Sequence, residues 1–454
     1  MSAAEAPGIT SGEVLRKLLH IGVGLLALAL RWLSWQQALA VCLVAVLLNW
    51  LVLPRLTRHA MERADEKRRG FAAGIVLYPI SVGLLCLLFG SHPEVVAAAW
   101  AIMAFGDGFA TLAGRLLGGP RLPWNPGKSW AGLLAFIGAG GLSASFMSHW
   151  VRADQDLVIL VWSCYAAALL AAMVESLPTG INDNLSVPLI SGGFLFALTF
   201  TLPELAAQRT FVLGERLLAA ILINAAVAGA ALAARSVKKS GVVAGFMVGV
   251  TIFIFGGWQA YLILLLFFVM GTAATKVGYE RKAARKIAQA EGGRRGARHA
   301  VANCGVAAFA AFLAWASPWS DIFMLGLVAA FATAAFDTVS SEIGQVYGRR
   351  TFLITTLRRV PPGTDGAISL EGTLAGLLAA VILAGAALLM GMLGGLGSTG
   401  AALAVAGALI GTTLESFLGA TVEALEMIDN EAINFTNTLA GALSAMWLCV
   451  LVIS

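Results

Sequence analysis

An aspartate inside an otherwise apolar run is the first residue of this sequence that points to chemistry. Asp107 opens the stretch Asp107-Gly108-Phe109-Ala110-Thr111-Leu112-Ala113-Gly114-Arg115, and Pro123-Trp124-Asn125-Pro126-Gly127-Lys128-Ser129-Trp130-Ala131-Gly132 follows it. A carboxylate within a membrane-spanning segment is costly, so it marks a functional position by default. Glycines let a backbone approach phosphates, and Lys128 and Arg121 supply charge to neutralise them. Glu175 and Asp183-Asn184 add oxygen ligands, which together with phosphate suit Mg²⁺. Phosphoryl transfer needs a metal on the phosphates, cations on the transferred group and a positioned acceptor. Asp107 and Lys128 are therefore the candidate catalytic groups, and Thr111, Gly114, Arg121 and Ser129 the candidate phosphate binders. Asp107, Glu175, Asp183 and Asn184 are the candidate metal ligands. Gly127-Lys128-Ser129 lacks the earlier glycine of a Walker A loop, so a P-loop is excluded.

His20, four residues after Arg16 on one helical face, is a candidate general base for a hydroxyl acceptor. Arg16 and Lys17 beside it are candidate nucleotide binders. A satisfied interfacial histidine is the competing reading, and Asp107 is an equal candidate to position the hydroxyl.

The elements that must carry these residues are membrane helices. Mean hydropathy is +0.84 and 12% of residues are charged, against roughly 25% in soluble domains. A bilayer crossing needs about 20 apolar residues whose backbone satisfies its own hydrogen bonds, and the apolar runs here do not alternate as barrel strands would. The expected fold is all-α, a polytopic integral membrane protein of about 15 spans. They fall near 18–33, 37–53, 72–90, 94–117, 129–149, 156–177, 186–206, 213–234, 241–256, 258–276, 300–316, 321–346, 371–394, 397–422 and 433–453. The five cysteines are scattered without CxxC spacing, so neither a disulfide frame nor a metal knuckle is expected. Tryptophans at span ends, such as Trp32, Trp150 and Trp319, read as interfacial anchors. With the N-terminus inside, every basic residue except Arg31, Arg152, Arg209 and Arg216 lies on the inner side. The positive-inside rule then places the N-terminus and the motif residues on the cytoplasmic face, as expected for a bacterial inner-membrane protein. Most of these charges serve topology or contact anionic lipid. No nucleic-acid partner is expected.

The two halves resemble each other in order, residue type and membrane side. Arg69-Gly70 matches Arg295-Gly296; Asp107, Thr111 and Gly114 match Asp337, Ser341 and Gly344; Ser129 and Gly132 match Ser369 and Gly372. Glu175-Ser176 matches Glu415-Ser416, and Asp183-Asn184 matches Asp429-Asn430. The offset only grows along the chain, as loop insertions in a second copy would make it. Two parallel seven-span units joined by one helix are expected, with domains at 1–210 and 211–454.

The first-half motifs resemble the phytol kinase branch of the phytol/dolichol kinase family over about residues 12–205. They are Arg16-Lys17-x-x-His20, the Asp107–Gly114 run, Leu122-Pro123-Trp124-Asn125 with Lys128-Ser129-Trp130-Ala131-Gly132, and Glu175-Ser176-Leu177-Pro178 with Asp183–Pro188. Ala131 stands where the dolichol kinase pattern has Glu. The resemblance implies CTP-dependent phosphorylation of a membrane isoprenoid alcohol, with Arg68 and Arg69 among the nucleotide contacts. The second half is similar to the phytyl-phosphate kinases over about residues 215–454. It carries Thr275-Lys276-Val277-Gly278, Arg294-Arg295-Gly296-Ala297-Arg298 with Asn303, Asp337-Thr338-x-Ser340-Ser341-Glu342-Ile343-Gly344 and Pro361–Gly372. Glu415-Ser416 and Asn430-Glu431-x-x-Asn434-Phe435 complete the set. That resemblance implies addition of a second phosphate to an isoprenyl phosphate. It implies Asp337, Glu342 and Asp365 as catalytic residues. Lys276, Arg294, Arg295, Arg298, Asn303, Ser341, Thr364 and Ser369 would bind nucleotide or phosphate, and Asp337, Glu415, Asn430 and Asn434 would hold metal. A fusion of the two would take an alcohol to a diphosphate.

Charge agrees with that division. The loop at 54–71 carries six basic and three acidic residues, while its counterpart at 276–298 carries eight and two. An acceptor that already bears a phosphate brings about −1.5 to −2 charges, and the more basic loop suits it. Three alternatives stay open: a cytidylyltransferase that retains the CMP, a parallel-repeat transporter, and a chain in which one half is only a scaffold. The clustering of charged motif residues toward the inner face favours catalysis over transport.

Overall fold

The computed structural model describes residues 11–52, 73–178, 182–200, 203–234, 236–285, 295–423 and 430–453. Arg68, Arg69 and Arg294 lie outside the described residues. The chain divides into two compact units, Met1–Thr199 and Phe200–Ser454. The expected boundary at 210/211 falls within a helix of the second unit, Pro203–Ala233.

The first unit begins with α1 (Ser11–Gly24), which tightens into a 3₁₀ turn, Leu25–Arg31. Next comes α2 (Trp35–Leu47), where Ser34 accepts from the Gln37 backbone and the Gln37 side chain reaches back, a reciprocal cap. α3 (Ala73–Phe89) follows, and then α4 (Pro93–Ala101), with proline in its first turn where the missing N–H costs nothing. A π-helical turn, Ile102–Asp107, joins α4 to α5 (Gly108–Leu116) as one run. A short antiparallel hairpin, β1 (Arg121–Leu122) and β2 (Asn125–Ser129), leads into α6 (Trp130–Val151). Asp156 caps α7 (Leu157–Ser176) by accepting from Val158 and Ile159, and α8 (Asp183–Thr199) closes the unit. α4 is the axis of the unit: Val95 through Ala104 are buried. Its alanines let neighbouring helices approach closely, which is how apolar helices gain contact when lipid is no worse a solvent than protein. α2 is different, with only Ala38 and Cys42 buried and its leucines and valines facing outward.

The second unit contains α9 (Pro203–Ala233), α10 (Lys239–Lys276), the short α11 (Tyr279–Ala284), α12 (Ala297–Ala316) and α13 (Ser320–Tyr347). β3 (Thr351–Leu353) pairs antiparallel with β4 (Ala367–Ser369), matching Thr351 to Ser369. α14 (Leu370–Leu389), α15 (Gly397–Leu418) and α16 (Asn430–Ile453) complete it. α13 is the axis here, buried from Leu325 through Thr338 and packed against α12, α14, α15 and α16.

α10 is not one straight helix. Gly257 sits at φ 80°, ψ 179°, a conformation open to glycine and strained for other residues. Residues 249 and 261 of an unbroken helix would lie about 18 Å apart along its axis. Instead, a Cβ at Gly249 would lie 3.3 Å from the Tyr261 ring. The chain therefore doubles back at Gly257, and the two legs correspond to the expected spans 241–256 and 258–276.

Eleven helices of the described residues are long and apolar enough to cross a membrane, fewer than the fifteen expected. The two legs of α10 run through as one of the eleven. Three expected spans are too short: α1 is amphipathic with a 3₁₀ continuation, and α3 and α8 have 17 residues each.

Candidate active site

The site of the first unit is built around the π turn. Lys17, His20, Ile21 and Gly24 share one face of α1 at helical spacing. A Cβ on Gly24 would lie 2.3 Å from Ala104 Cβ, and one on Gly108 would lie 2.5 Å from Ile21 Cγ1. Glycine at both places lets α1 seat directly on the turn that carries Asp107. Lys17 Nζ then reaches Asp107 Oδ2 at 2.6 Å, and His20 Nε2 lies 3.5 Å from the same oxygen and 3.3 Å from Met103 O. Both partners of Nε2 are acceptors, so Nε2 carries the ring proton and Nδ1 is the nitrogen left to accept one. Tyr78 braces this face, donating to His20 O at 3.3 Å while accepting from Trp100 Nε1 at 2.8 Å. Lys17 is 7% exposed. Removing one partner of a buried pair leaves an uncompensated charge, which costs far more than the pair contributes.

A second cluster lies at the hairpin. Trp124 Nε1 donates to Ser176 Oγ at 3.1 Å, and Asn125 Nδ2 donates to Ser176 O at 3.0 Å. These bonds latch the hairpin to the end of α7. Lys128 thereby meets Glu175, donating to its carboxylate and its carbonyl, and lies 3.4 Å from Asp183 Oδ2 at the start of α8. Burial disfavours the Lys128 charge, but Glu175 and Asp183 outweigh it and raise the pKa above the usual lysine value. Asp107 lies within electrostatic reach of Lys128 and Asp183, so the two clusters act on each other. Ser129 is the N-cap of α6, accepting from Gly132 N at 3.2 Å. Gly114 of α5 packs against it, since a Cβ there would lie 3.0 Å from Ser129 Oγ. Asn184 is spent on structure: its Nδ2 donates to Gly74 O at 2.7 Å and its carbonyl accepts from Ser81. Arg16 and Thr111 are half-buried on α1 and α5, and Arg121 is exposed on β1.

The second unit repeats the capped hairpin. Ser369 caps α14 by accepting from Gly372 N at 3.1 Å, and a Cβ on Gly344 would lie 2.9 Å from Ser369 Oγ. Its charged groups are arranged differently. Asp337 is buried on α13 and accepts from Ser341 Oγ at 3.5 Å. Lys282 of α11 donates to Glu342 and to Thr275 O, and both members of that pair are sealed from solvent. Arg298 Nη2 faces Glu431 Oε2 at 3.7 Å. Asn434 Nδ2 donates to Asn430 Oδ1 at 3.3 Å, and Glu415 Oε2 accepts from Ser416 Oγ at 3.4 Å. Asn303 is buried and donates back to His299 O at 3.0 Å. Lys276, Thr364 and Asp365 are exposed, and the Thr364 hydroxyl donates to Pro361 O at 2.8 Å. Lys282 is the site residue that sequence reasoning missed. It stands in a run of eight basic residues, and nothing in its spacing separates it from its neighbours.

Among the described residues no group of three or more His, Cys, Asp or Glu side chains is placed to cage a metal. Mg²⁺ takes one or two carboxylates together with phosphate oxygens and waters, and so does not need such a cage.

A family model described as "Integral membrane protein DUF92" matches residues 222–442. The chain is 41% identical over 44% of its length to an uncharacterized membrane protein of Synechocystis sp., 78% of which it covers. The chain belongs to the DUF92 family of integral membrane proteins. It is also 37% identical over 48% of its length to the chloroplastic protein VTE6 of Arabidopsis thaliana, covering 67% of that relative. A chloroplastic farnesol kinase of Arabidopsis thaliana is 30% identical over 41% of the chain and is covered over 67% of its own length. No solved structure matches this DUF92 protein.

Proposed function

We propose that the chain is a bifunctional membrane kinase. Its first unit phosphorylates an isoprenoid alcohol, and its second unit converts the resulting monophosphate to the diphosphate. The observation that carries the reading is the pair of lysine–carboxylate clusters in the first unit, Lys17–Asp107 within an apolar run and Lys128–Glu175–Asp183 at helix ends. The similarity to a farnesol kinase and the family motifs support the same chemistry.

In the first step the hydroxyl oxygen attacks the γ-phosphorus of a nucleoside triphosphate. The new O–P bond forms as the bond to the β–γ bridging oxygen breaks, and the nucleoside diphosphate leaves. His20 Nδ1 takes the hydroxyl proton, with Asp107 holding the ring through Nε2. Lys128 and Arg121 balance charge on the transferred group. In the second step an oxygen of the acceptor phosphate attacks the γ-phosphorus of a second nucleoside triphosphate, the bond to its β–γ bridging oxygen breaks, and the nucleoside diphosphate leaves. The attacking oxygen is already ionised near neutral pH and needs no general base. The donor is CTP on the family resemblance. Mg²⁺ would be held with the nucleotide phosphates by one or two of Asp107, Glu175 and Asp183 in the first unit, and by one or two of Asp337, Glu415, Asn430 and Asn434 in the second. The N-terminus and both sites face the cytoplasm of a bacterial inner membrane.

The test is mass spectrometry of products from purified protein, CTP, Mg²⁺ and a panel of prenols including phytol and geranylgeraniol. Monophosphate followed by diphosphate is expected. A CMP-bearing lipid product, or no phosphorylated prenol at all, would overturn the proposal.

A further inference from the structure

A cavity of about 120 Å³ opens in the second unit between α9, the two legs of α10 and α12. Its wall is largely apolar, with Val227, Val242, Phe246, Leu264 and Phe268 among its lining. Along one wall it meets three polar side chains four residues apart, Arg295, His299 and Asn303, and Asn224 and Tyr261 line it elsewhere. Arg295 is 9% exposed, and its Nη2 has no hydrogen-bond partner. His299 Nε2, one turn further, is buried and equally unpartnered.

The Arg295 backbone is pinned by two hydrogen bonds, and its guanidinium rests against Gly271. Arg295 N donates to Ser236 O at 3.3 Å, and its carbonyl accepts from Lys238 N at 2.9 Å. On α10, a Cβ at Gly271 would lie 2.9 Å from Nη2, so a side chain there would crowd the guanidinium out of its niche. Burial disfavours the Arg295 charge and lowers its pKa. A buried cation with a spare donor calls for an anionic acceptor, and the apolar wall beside it calls for a hydrocarbon on that acceptor. A nucleotide offers the anion without the hydrocarbon, and a free prenol offers the reverse. The volume is close to that of an engineered cavity of about 150 Å³ that accepts benzene, which is room for a single five-carbon unit.

We infer that this cavity seats the first isoprene unit of an isoprenyl monophosphate whose phosphate is bound by Arg295. The site then reads the head group and the unit next to it, and the rest of the chain lies in the bilayer. Chain length is accordingly not selected here. This inference rests on the reading of the second unit as acting on a phosphorylated isoprenoid.

The experiment is equilibrium binding of radiolabelled farnesyl monophosphate to the full chain in detergent, without nucleotide. Geranylgeranyl and phytyl monophosphates should compete within about threefold of farnesyl monophosphate, whereas farnesol, inorganic phosphate and phosphatidic acid should be weaker by at least about tenfold. Gly245 lines the cavity, and a Cβ there meets nothing within 4 Å. Gly245→Leu should therefore fill the space without disturbing the fold, and weaken binding about tenfold at an unchanged melting temperature. Gly385→Leu, likewise in open space but on α14, should bind as wild type. Arg295→Gln should lose the monophosphate and keep the weak binding of farnesol. Undiminished binding by Gly245→Leu, or phosphatidic acid competing as well as farnesyl monophosphate, would overturn the assignment. Binding that is sensitive to Gly245→Leu, with no turnover once CTP and Mg²⁺ are added, would sink only the kinase reading. Turnover of monophosphate undiminished by Gly245→Leu would sink only the cavity.

Discussion

Each unit carries the same serine-capped hairpin, yet the two spend their cations in different ways. In the first, Lys17 and Lys128 are committed to Asp107, Glu175 and Asp183, and Lys128 remains partly open. In the second, Lys282 is sealed against Glu342, and Arg295 keeps a free donor in the wall of a largely apolar cavity. Ser129 and Ser369 cap equivalent helices, but position 368, which corresponds to Lys128, is isoleucine. The first unit thus holds cations neutralised by carboxylates, and the second an arginine with a spare donor. A neutralised cluster suits an uncharged acceptor, and a cation with a spare donor suits an anionic one.

The sharpest way to break this contrast is to remove the two intramembrane aspartates separately. Asp107→Asn should lower alcohol phosphorylation by on the order of 10³-fold while supplied monophosphate is still converted. Asp337→Asn should stop at the monophosphate, and loss of both steps in both variants would end the division of labour. Next come the lysines. Lys282→Met should cost about 3–5 kcal/mol because it strands a buried carboxylate, and Lys282→Met with Glu342→Leu should recover most of that. Lys128 is partly open but its partner Glu175 is buried, so Lys128→Met should cost about 1–3 kcal/mol. Unfolding of the full chain in mixed micelles measures both, and equal costs would erase the difference between the units. The sign with pH is fixed by the raised pKa of Lys128 in the fold. Its contribution is fully present below the usual lysine value of 10.5 and is lost only as pH rises through the folded value. The Lys128 charge itself should therefore be unchanged from about pH 6 to 9, and any change in the Lys128→Met cost over that range would come from its carboxylate partners. The smallest effect belongs to what the units share. Ser129→Ala and Ser369→Ala should each cost about 1 kcal/mol of helix-cap stability, to a similar degree.

Much of the first site was legible from residue types alone. Lys17, His20 and Asp107 fall together because α1 and the π turn bring one helical face onto another, and an isolated carboxylate in an apolar run advertises itself. Lys128, Glu175 and Asp183 were legible for the same reason. The reversal at Gly257 was legible as two short spans, although Gly257 alone does not say how sharply they turn. Lys282 was not legible, since burial of one lysine among eight basic residues is decided by tertiary packing. Nor was the cavity, whose lining comes from helices far apart in sequence. Asp365 and Thr364 belong to a long motif but stand exposed, so motif membership alone does not place a side chain inside a site. The span count ran high because hydropathy does not register a helix that is a residue short or one that folds back on itself.

The π turn at Ile102–Asp107 has a consequence for how this stretch of the chain can vary. Each residue of a helix turns the chain by about 100° and advances it by about 1.5 Å. Deleting one residue from the turn would barely shorten the crossing, yet it would swing everything that follows to a new azimuth and carry Asp107 away from Lys17. Ordinary substitutions in this stretch alter packing, whereas a change of length alters which way the carboxylate points. Insertions and deletions here act as a rotation and not as a trim.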